Sequence, residues 1–197
     1  MSRNIGVISD THGLLRPAAV AALQGSGLIL HAGDVGDLRI LAELGRIAPV
    51  HAVYGNTDWG EVRGSLPRTR LVDLGARDGR VAESAVREGA GSCADRSAHA
   101  LNPVPTPAGP LAYVHHGDRE LDLDPPAAGI ALVVSGHTHR PLVEERGGVL
   151  YLNPGSAGPG RSGLPATIAR VMLTDDGGLR AEIVPLGGGG RGSGSRG

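Results

Sequence analysis

Three short apolar runs near the start of the chain, Asn4 to Ser9, Gly27 to His31 and Pro49 to Tyr54, each stop abruptly at glycine or polar residues. Their length and β-branched content suit buried strands. Between them, Arg16 to Leu23 and Leu38 to Ile47 repeat apolar residues at three- and four-residue spacing, the pattern of helices that lay one face on a sheet. This βαβαβ order constrains the fold tightly. Crossover handedness places the three strands in one sheet, and a ligand site is expected beyond their carboxyl ends.

The second half changes character. Leu111 to His115, Ile130 to Ser135, Leu142 to Glu145, Val149 to Leu152, Thr167 to Leu173 and Leu179 to Pro185 read as strands between short polar or glycine turns. The Glu-Glu-Arg-Gly-Gly stretch around Arg146 reads as a hairpin. Together the halves predict two packed sheets flanked by helices, an α/β domain of mixed sheets. Two stretches fall outside this pattern. Residues from about 76 to 110, rich in Gly, Ala, Ser and Pro, predict a flexible insertion with a short helix from Val81 to Glu88. From Gly187 a Gly/Ser/Arg tail has no means of burying surface. The expected organisation is one domain over 1–186 followed by a disordered tail over 187–197.

At 197 residues the chain is long enough to bury a core unaided. Its formal charge is −1 with histidine neutral, so no global field draws it toward nucleic acid or an anionic membrane. An anionic ligand must be captured locally. Basic charge comes from arginine alone and phenylalanine is absent, which GC-rich coding explains without invoking function. Aromatic residues make up 2% of the chain, leaving few platforms for single-stranded bases, and sequence-specific nucleic-acid binding is not expected. Cys93 is the one cysteine, which excludes an internal disulfide and a cysteine-rich zinc site and predicts a reducing compartment. The opening MSRNIGVISD has too short an apolar run for a signal peptide, and no stretch approaches the roughly 18 to 20 apolar residues of a membrane span. The expectation is a cytoplasmic protein with no membrane partner. The oligomeric state stays open, a homodimer included.

Residues that bind metals stand where the apolar runs stop. Asp10 and His12 follow the first run, and strand alternation predicts that both face one side. Asp34 and Asp37 follow the second, and Asn56 and Asp58 the third. His115, His116 and Asp118, then His137 and His139, close two later runs, and Asn153 to Gly158 follow the last hairpin. Any one of these clusters reads as a helix cap or a turn. Recurrence at so many strand ends argues instead for convergence on metal. Mixed carboxylate, imidazole and amide donors suit Mn²⁺, Zn²⁺, Fe²⁺, Ni²⁺ or Mg²⁺ and disfavour thiolate-loving ions. A carboxylate can bridge two cations about 3.5 to 4 Å apart, a pair that binds phosphate and polarises a shared water.

Asp10-Thr-His12, Gly33-Asp34-Val-Gly-Asp37, Gly55-Asn56-Thr-Asp58, His116-Gly117 and Gly136-His137-Thr-His139 closely resemble the calcineurin-like metallophosphoesterase superfamily. With Asn153-Pro-Gly-Ser156, the pattern is similar to its small bacterial and archaeal phosphodiesterase branch, to which the retromer scaffold subunit of eukaryotes is related. The resemblance implies a four-layer αββα sandwich of two mixed sheets flanked by helices. It also implies two divalent metal ions, manganese first and nickel, zinc, iron or magnesium as alternatives. Asp10, His12 and His139 would hold one ion, Asn56, His116 and His137 the other, and Asp34 would bridge them. The implied reaction is hydrolysis of a small phosphoester, most simply a diester, by metal-activated water. A non-catalytic scaffold like the retromer subunit and a serine/threonine phosphatase are the alternatives. The intact donor set argues against the first, and Thr57 and the small size against the second.

Residues expected to take part in catalysis are Asp34, Asn56, Asp58 and His115. Many relatives carry histidine after Gly-Asn, where it protonates the leaving alkoxide, but here the residue is Thr57. Help worth about 10²- to 10⁴-fold must then come from elsewhere, from His115 or Asp118, or be forgone. Asp37 and Asp58 read as carboxylates orienting the ligands or as helix caps. His31 reads as a support behind the ligands. Arg140 and Arg161 are candidates for phosphate contacts, with solvated surface arginine the simpler reading. Asn153, Gly155 and Ser156 are expected to form a turn bracing the metal loops. Tyr54 and Trp59 flank the Gly-Asn motif, with core burial the expectation for both and a pocket wall the alternative.

Overall fold

The computed structural model describes residues 2–76, 107–159 and 163–187. The Val81 to Glu88 helix, Cys93, Arg161, most of the predicted insertion and the tail after Gly187 lie outside the described residues. Within them the chain forms β1 (Arg3–Ile8), α1 (Pro17–Leu23), β2 (Leu28–Ala32), α2 (Leu38–Leu44), β3 (Val50–Val53), α3 (Gly60–Ser65) and β4 (Thr69–Asp73). It continues with β5 (Leu111–His115), β6 (Ile130–Val134), β7 (Leu142–Arg146), β8 (Val149–Asn153), β9 (Thr167–Leu173) and β10 (Leu179–Pro185).

The strands make two five-stranded sheets, β10-β9-β1-β2-β3 and β4-β5-β6-β8-β7. Both are mixed. In the first, β1, β2, β3 and β10 share one direction, and only β9, between β10 and β1, runs against them. In the second, β5, β6 and β8 are parallel, with β4 and β7 antiparallel at the edges. The expected hairpin joins β7 to β8 through Gly147 and Gly148, both at positive φ (58° and 77°), the geometry that suits strand twist in a two-residue loop.

Alternation along the strands builds three apolar layers. Ile5, Val7, Leu28, Leu30 and Val53 of the first sheet meet Val72, Ala112, Val114, Leu132, Val134 and Leu152 of the second in a buried core between them. The opposite face of the first sheet packs Ile8, Ile29 and Ile168 against Ala19, Leu23, Ile40, Leu44 and Val62, so all three helices lie on that side. Over the outer face of the second sheet, Tyr113, Ile130, Val133 and Val149 are joined by Leu121 and Leu123. Among the described residues that layer is the segment between β5 and β6.

Two elements escaped the sequence reading. β4 is an edge strand with only Leu71 and Val72 apolar, and Arg70 interrupts its pattern. α3 is six residues with glycine at two positions, too short and too weak in propensity to announce itself. The second helix also stops at Leu44 rather than Ile47, where Gly45 terminates it ahead of Pro49.

Leu30, fully buried in the layer between the sheets, tests how much the architecture depends on that core. Leu30→Ala is expected to cost about 2–5 kcal/mol, read as a lower denaturant midpoint at unchanged m-value.

Candidate metal centre

The loops after β1, β2, β3, β5 and β6 meet at one edge of the sandwich, locked by backbone bonds that cross between them. Asp10 N donates to Gly33 O (3.1 Å), His12 N to Asp34 O (2.9 Å), Gly136 N to His116 O (2.9 Å) and Gly158 N to Asp10 O (3.2 Å). The chain does not leave the strands extended. Asp10, His12, Asp34, His137 and His139 have φ of 54°, 47°, 53°, 67° and 58°, and they are the only non-glycine residues with positive φ among those described. This corrects the alternation argument. Asp10 and His12 face one cleft because two left-handed residues bracket Thr11, and His137 and His139 bracket Thr138 in the same way. Each such residue costs about 1–2 kcal/mol, so five at one edge mark loops held in place by their surroundings.

Two groups of donor atoms converge there. In one, Asp10 Oδ1 lies 3.1 Å from His139 Nε2 and 3.9 Å from His12 Nε2, and the two imidazole nitrogens are 3.4 Å apart. In the other, Asn56 Oδ1 is 3.0 Å from both His116 Nε2 and His137 Nδ1. Asp34 Oδ2 stands between them, 3.4 Å from His116 Nε2 and 3.8 Å from His12 Nε2. The ligand atoms of Asp10, His12 and His139 lie within 4.8 Å of one another, as do those of Asp10, Asp34 and His116. Asp10, Asp34, His116 and His139 are buried, whereas Asn56, Thr57 and His137 are exposed. The cluster therefore has a buried floor and a solvent-facing rim.

Hydrogen bonds behind the ligands settle which atoms face inward. His116 Nδ1 donates to Ala32 O at 2.8 Å, turning Nε2 toward Asp34 and Asn56. His12 Nδ1 lies 3.4 Å from Thr57 Oγ1, turning its Nε2 toward the acids. Burial alone would raise the pKa of Asp34, but bonds from His116 and Thr57 prevail and hold its carboxyl well below the usual range. Burial opposes charge on His116 as well, yet the adjoining Asp34 and the Ala32 carbonyl raise its pKa above that of ordinary imidazole. At Asp10 burial wins and lifts the carboxyl to about 6, against bonds from Ser9 Oγ and the His137 amide. Carboxylate, amide oxygen and imidazole lone pairs this close repel unless a proton or a cation sits among them. These donors fit first-row divalent ions, which would compete with protons for them.

Supporting residues explain why the loops stay put. Asp58 is buried and accepts from the amides of Val35 (3.1 Å), Gly36 (2.7 Å) and Gly55 (2.8 Å), tying the loop of Asp34 to that of Asn56. Both of its carboxylate oxygens are taken up by backbone amides, the contacts of the supporting carboxylate that was one of its readings from sequence. Asp37 caps α2 through Arg39 N at 2.8 Å. His31 is fully buried behind Thr11, with Nε2 3.0 Å from Thr11 Oγ1, whose hydroxyl donates to Val35 O. Burial, reinforced by His116, lowers its pKa to about 3 and keeps it neutral. Asn153 bonds Gly136 O (2.7 Å) and Thr138 Oγ1 (3.1 Å), and Ser156 Oγ bonds Asp10 O (3.0 Å), the bracing expected of that turn. Ser9, Thr11 and the Thr57 amide were missed, since nothing in their types distinguishes them from ordinary loop residues. The glycines before Asn56 and His137 have a steric reason: a Cβ on Gly55 would run into Asp34, and one on Gly136 into Ser9 and Asp10.

Other candidates stand apart from the cluster. His115 extends the outer-face row of Tyr113, their rings 5.6 Å apart, in a cleft of about 90 Å³ shared with Arg68 and Asp118. Burial lowers its pKa. His116 also lines that cleft, but no bond joins His115 to the other ligands, and Asp118 pairs with Arg68 at 3.3 Å. Arg140 is exposed and joins the site only through its amide, which donates to Thr138 Oγ1. Trp59 is 74% exposed, against the expected core burial, while Tyr54 is half-buried. A cleft of about 500 Å³ is lined by Asn4, Gln24, Arg170 and Arg180 at the far end of β1 and holds none of the cluster.

Comparison with known proteins agrees with this fold. The domain described as the calcineurin-like phosphoesterase superfamily domain matches residues 4–176. A protein of Methanothermobacter thermautotrophicus named "Probable metallophosphoesterase" is 32% identical over 190 residues, covering 93% of this chain and 92% of that protein. Vacuolar protein sorting 29 of Cryptosporidium parvum superposes with a TM-score of 0.62 at 19% identity, over 93% of this chain and 97% of its own. A structure described as a novel archaeal phosphodiesterase gives 0.60 at 22% identity, over 92% and 99%. At those identities the structural likenesses establish the fold.

Two outcomes follow for the supporting residues. Asp58→Ala leaves three amides without their acceptor and is expected to cost about 3 kcal/mol and to weaken metal binding in calorimetric titration, with Asp58→Asn recovering part of both. For His31 the unfolded chain binds a proton near pH 6.5 and the folded chain only near 3, so folding stability is lost as pH falls through that window. Metal-free wild type should lose up to about 1.4 kcal/mol per pH unit more than His31→Gln on acidification below 6.5, measured by denaturant unfolding.

Proposed function

Because this chain belongs to the calcineurin-like phosphoesterase superfamily, we propose that it is a metal-dependent phosphodiesterase that works with a pair of divalent ions, manganese foremost. The family and the metallophosphoesterase relative mark it as a phosphoester hydrolase; the diester and the dinuclear centre are the reading added here. The observation that carries it is the place of Asp34 Oδ2 between two donor sets, 3.4 Å from His116 Nε2 and 3.8 Å from His12 Nε2. Asp10, His12 and His139 would hold one ion and Asn56, His116 and His137 the other, with Asp34 shared.

Bound divalent ions supply Lewis acidity and bring the pKa of a coordinated water toward neutrality. The protein's part is to present the donors ready for use. Asp34 stays ionised because the Thr57 amide and His116 bond it, and His116 offers Nε2 because Ala32 O holds its other nitrogen. The rigid loops keep those atoms from spreading under mutual repulsion, so little reorganisation is left for the reaction. The exposed rim of Asn56, Thr57 and His137 leaves an open approach for an anionic ester.

Proton supply to the leaving group is the weak part of this site. Thr57 occupies the position after Gly-Asn, and its hydroxyl does not titrate near neutral pH as imidazole does. Leaving groups that depart as stable anions are therefore favoured. A scaffold role would not need the donors to converge, and they do.

Exhaustive chelation should abolish turnover of bis(p-nitrophenyl) phosphate and manganese should restore it. Asp34→Asn should lower kcat by at least about 10²-fold while the protein remains folded by circular dichroism. Full turnover in the presence of chelator would reject the metal mechanism.

A further inference from the structure

The metal cluster accounts for chemistry at phosphorus and leaves open what recognises the ester groups. Three residues after Asn56 the chain places its single tryptophan in solvent, with Trp59 74% exposed while the next most exposed large hydrophobic residue among those described, Leu142, is at 44%. Its position is tied to the cluster. Two residues earlier, the Thr57 amide donates to Asp34 Oδ1 at 2.9 Å and its hydroxyl lies 3.4 Å from His12 Nδ1. Two residues span at most about 7 Å. Between them Asp58 is buried and fixed by three amides, so the chain leading to Trp59 is anchored.

The surroundings of the indole are organised as well. Arg63, one turn along α3, sets its guanidinium carbon 4.4 Å from the centre of the Tyr54 ring and 5.9 Å from that of Trp59. Both separations fall in the range of cation–π attraction. A cationic group is thus held next to an aromatic face on the segment that follows Asn56 and Thr57. Space remains around it, since a Cβ on the adjoining Gly60 would meet nothing within 4 Å. Trp59 precedes α3 without a side-chain capping bond, so the helix start does not depend on the indole.

An open indole face with a guanidinium beside it suits a planar π system attached to phosphate, the ring stacking while the cation offsets anionic charge. An alkyl ester offers nothing to stack. Resting on the phosphodiesterase reading above, we propose that Trp59, positioned by Arg63 and Tyr54, is the platform for an aromatic ester group. The preferred substrates are then phosphodiesters carrying a nucleobase or an aryl ring.

The test uses the full chain loaded with manganese. Trp59 is the only tryptophan, so intrinsic fluorescence reports the platform directly. Adenosine monophosphate should quench it saturably, and inorganic phosphate at equal concentration should not. In steady-state assays Trp59→Ala should raise KM for bis(p-nitrophenyl) phosphate and for an adenosine cyclic phosphate about 10-fold, with kcat little changed. KM for glycerophosphocholine should stay the same, and Trp59→Phe should restore most of the loss. Equal quenching by phosphate and nucleotide, or a KM change that is absent or the same for aromatic and alkyl diesters, overturns the proposal. Failure of the wild-type protein to turn over any diester defeats the phosphodiesterase reading instead, and the nucleotide titration still judges the platform by itself.

Discussion

Asp34 ties the loops of the site to one another. Its carbonyl accepts from the amide of His12, its Oδ1 from the amide of Thr57, and its Oδ2 faces His116 and His12. The two amides that follow it are held by Asp58. One residue thereby connects the loops after β1, β2, β3 and β5, which belong to both sheets. The parallel strands of two mixed sheets can deliver their carboxyl ends to one edge only if something reconciles the loops, and this carboxylate with its neighbours does so.

That convergence is costly, and the cost falls on the elements least able to relax. Five residues are held left-handed, and Asp10 is buried deeply enough for its proton affinity to rise. Loops alone would escape both by shifting. They do not shift because the strands behind them are fixed by an apolar layer between the sheets and by a second layer under the helices. The core thus does more than stabilise the fold: it keeps like-charged and lone-pair-bearing atoms at separations they would otherwise abandon. A cation arriving among them relieves a repulsion the fold already sustains, which couples ligand affinity to core rigidity.

Much of this was legible in the sequence because periodic burial and metal-binding residue types coincide. Nine of the ten strands among the described residues announce themselves as apolar runs, and residue types that bind metals recur at the ends of several. β4 was hidden because an edge strand needs only one paired side and tolerates the arginine that broke its pattern. The left-handed turns were invisible, since aspartate and histidine show no glycine-like signature. The same facing of Asp10 and His12 was therefore expected for the wrong reason. Asp58 looked like a participant because a carboxylate beside a ligand can face either way, and only the amide positions of Val35, Gly36 and Gly55 show which way it turned. Trp59 was expected inside because large aromatics usually pay for themselves by burial; instead it stands extended ahead of α3 with its indole in solvent.

The division between floor and rim gives these details a functional order. On the proposed reading the floor residues would answer to the metal, because a displaced donor leaves a buried charge uncompensated. On the same reading the exposed residues would answer to the substrate, and they favour one chemistry in two independent ways. Thr57 supplies no titratable proton, which favours esters whose leaving group is a weak base. Trp59 and Arg63 offer a stacking surface, which favours aromatic groups. An aryl ester satisfies both conditions because a phenolate is at once planar and a stable anion. A nucleoside ester satisfies only the second when its departing oxygen is an alkoxide. The two substrate types should therefore separate kinetically, alike in how they bind and different in how fast the bond breaks, which distinguishes recognition at the rim from chemistry at the floor.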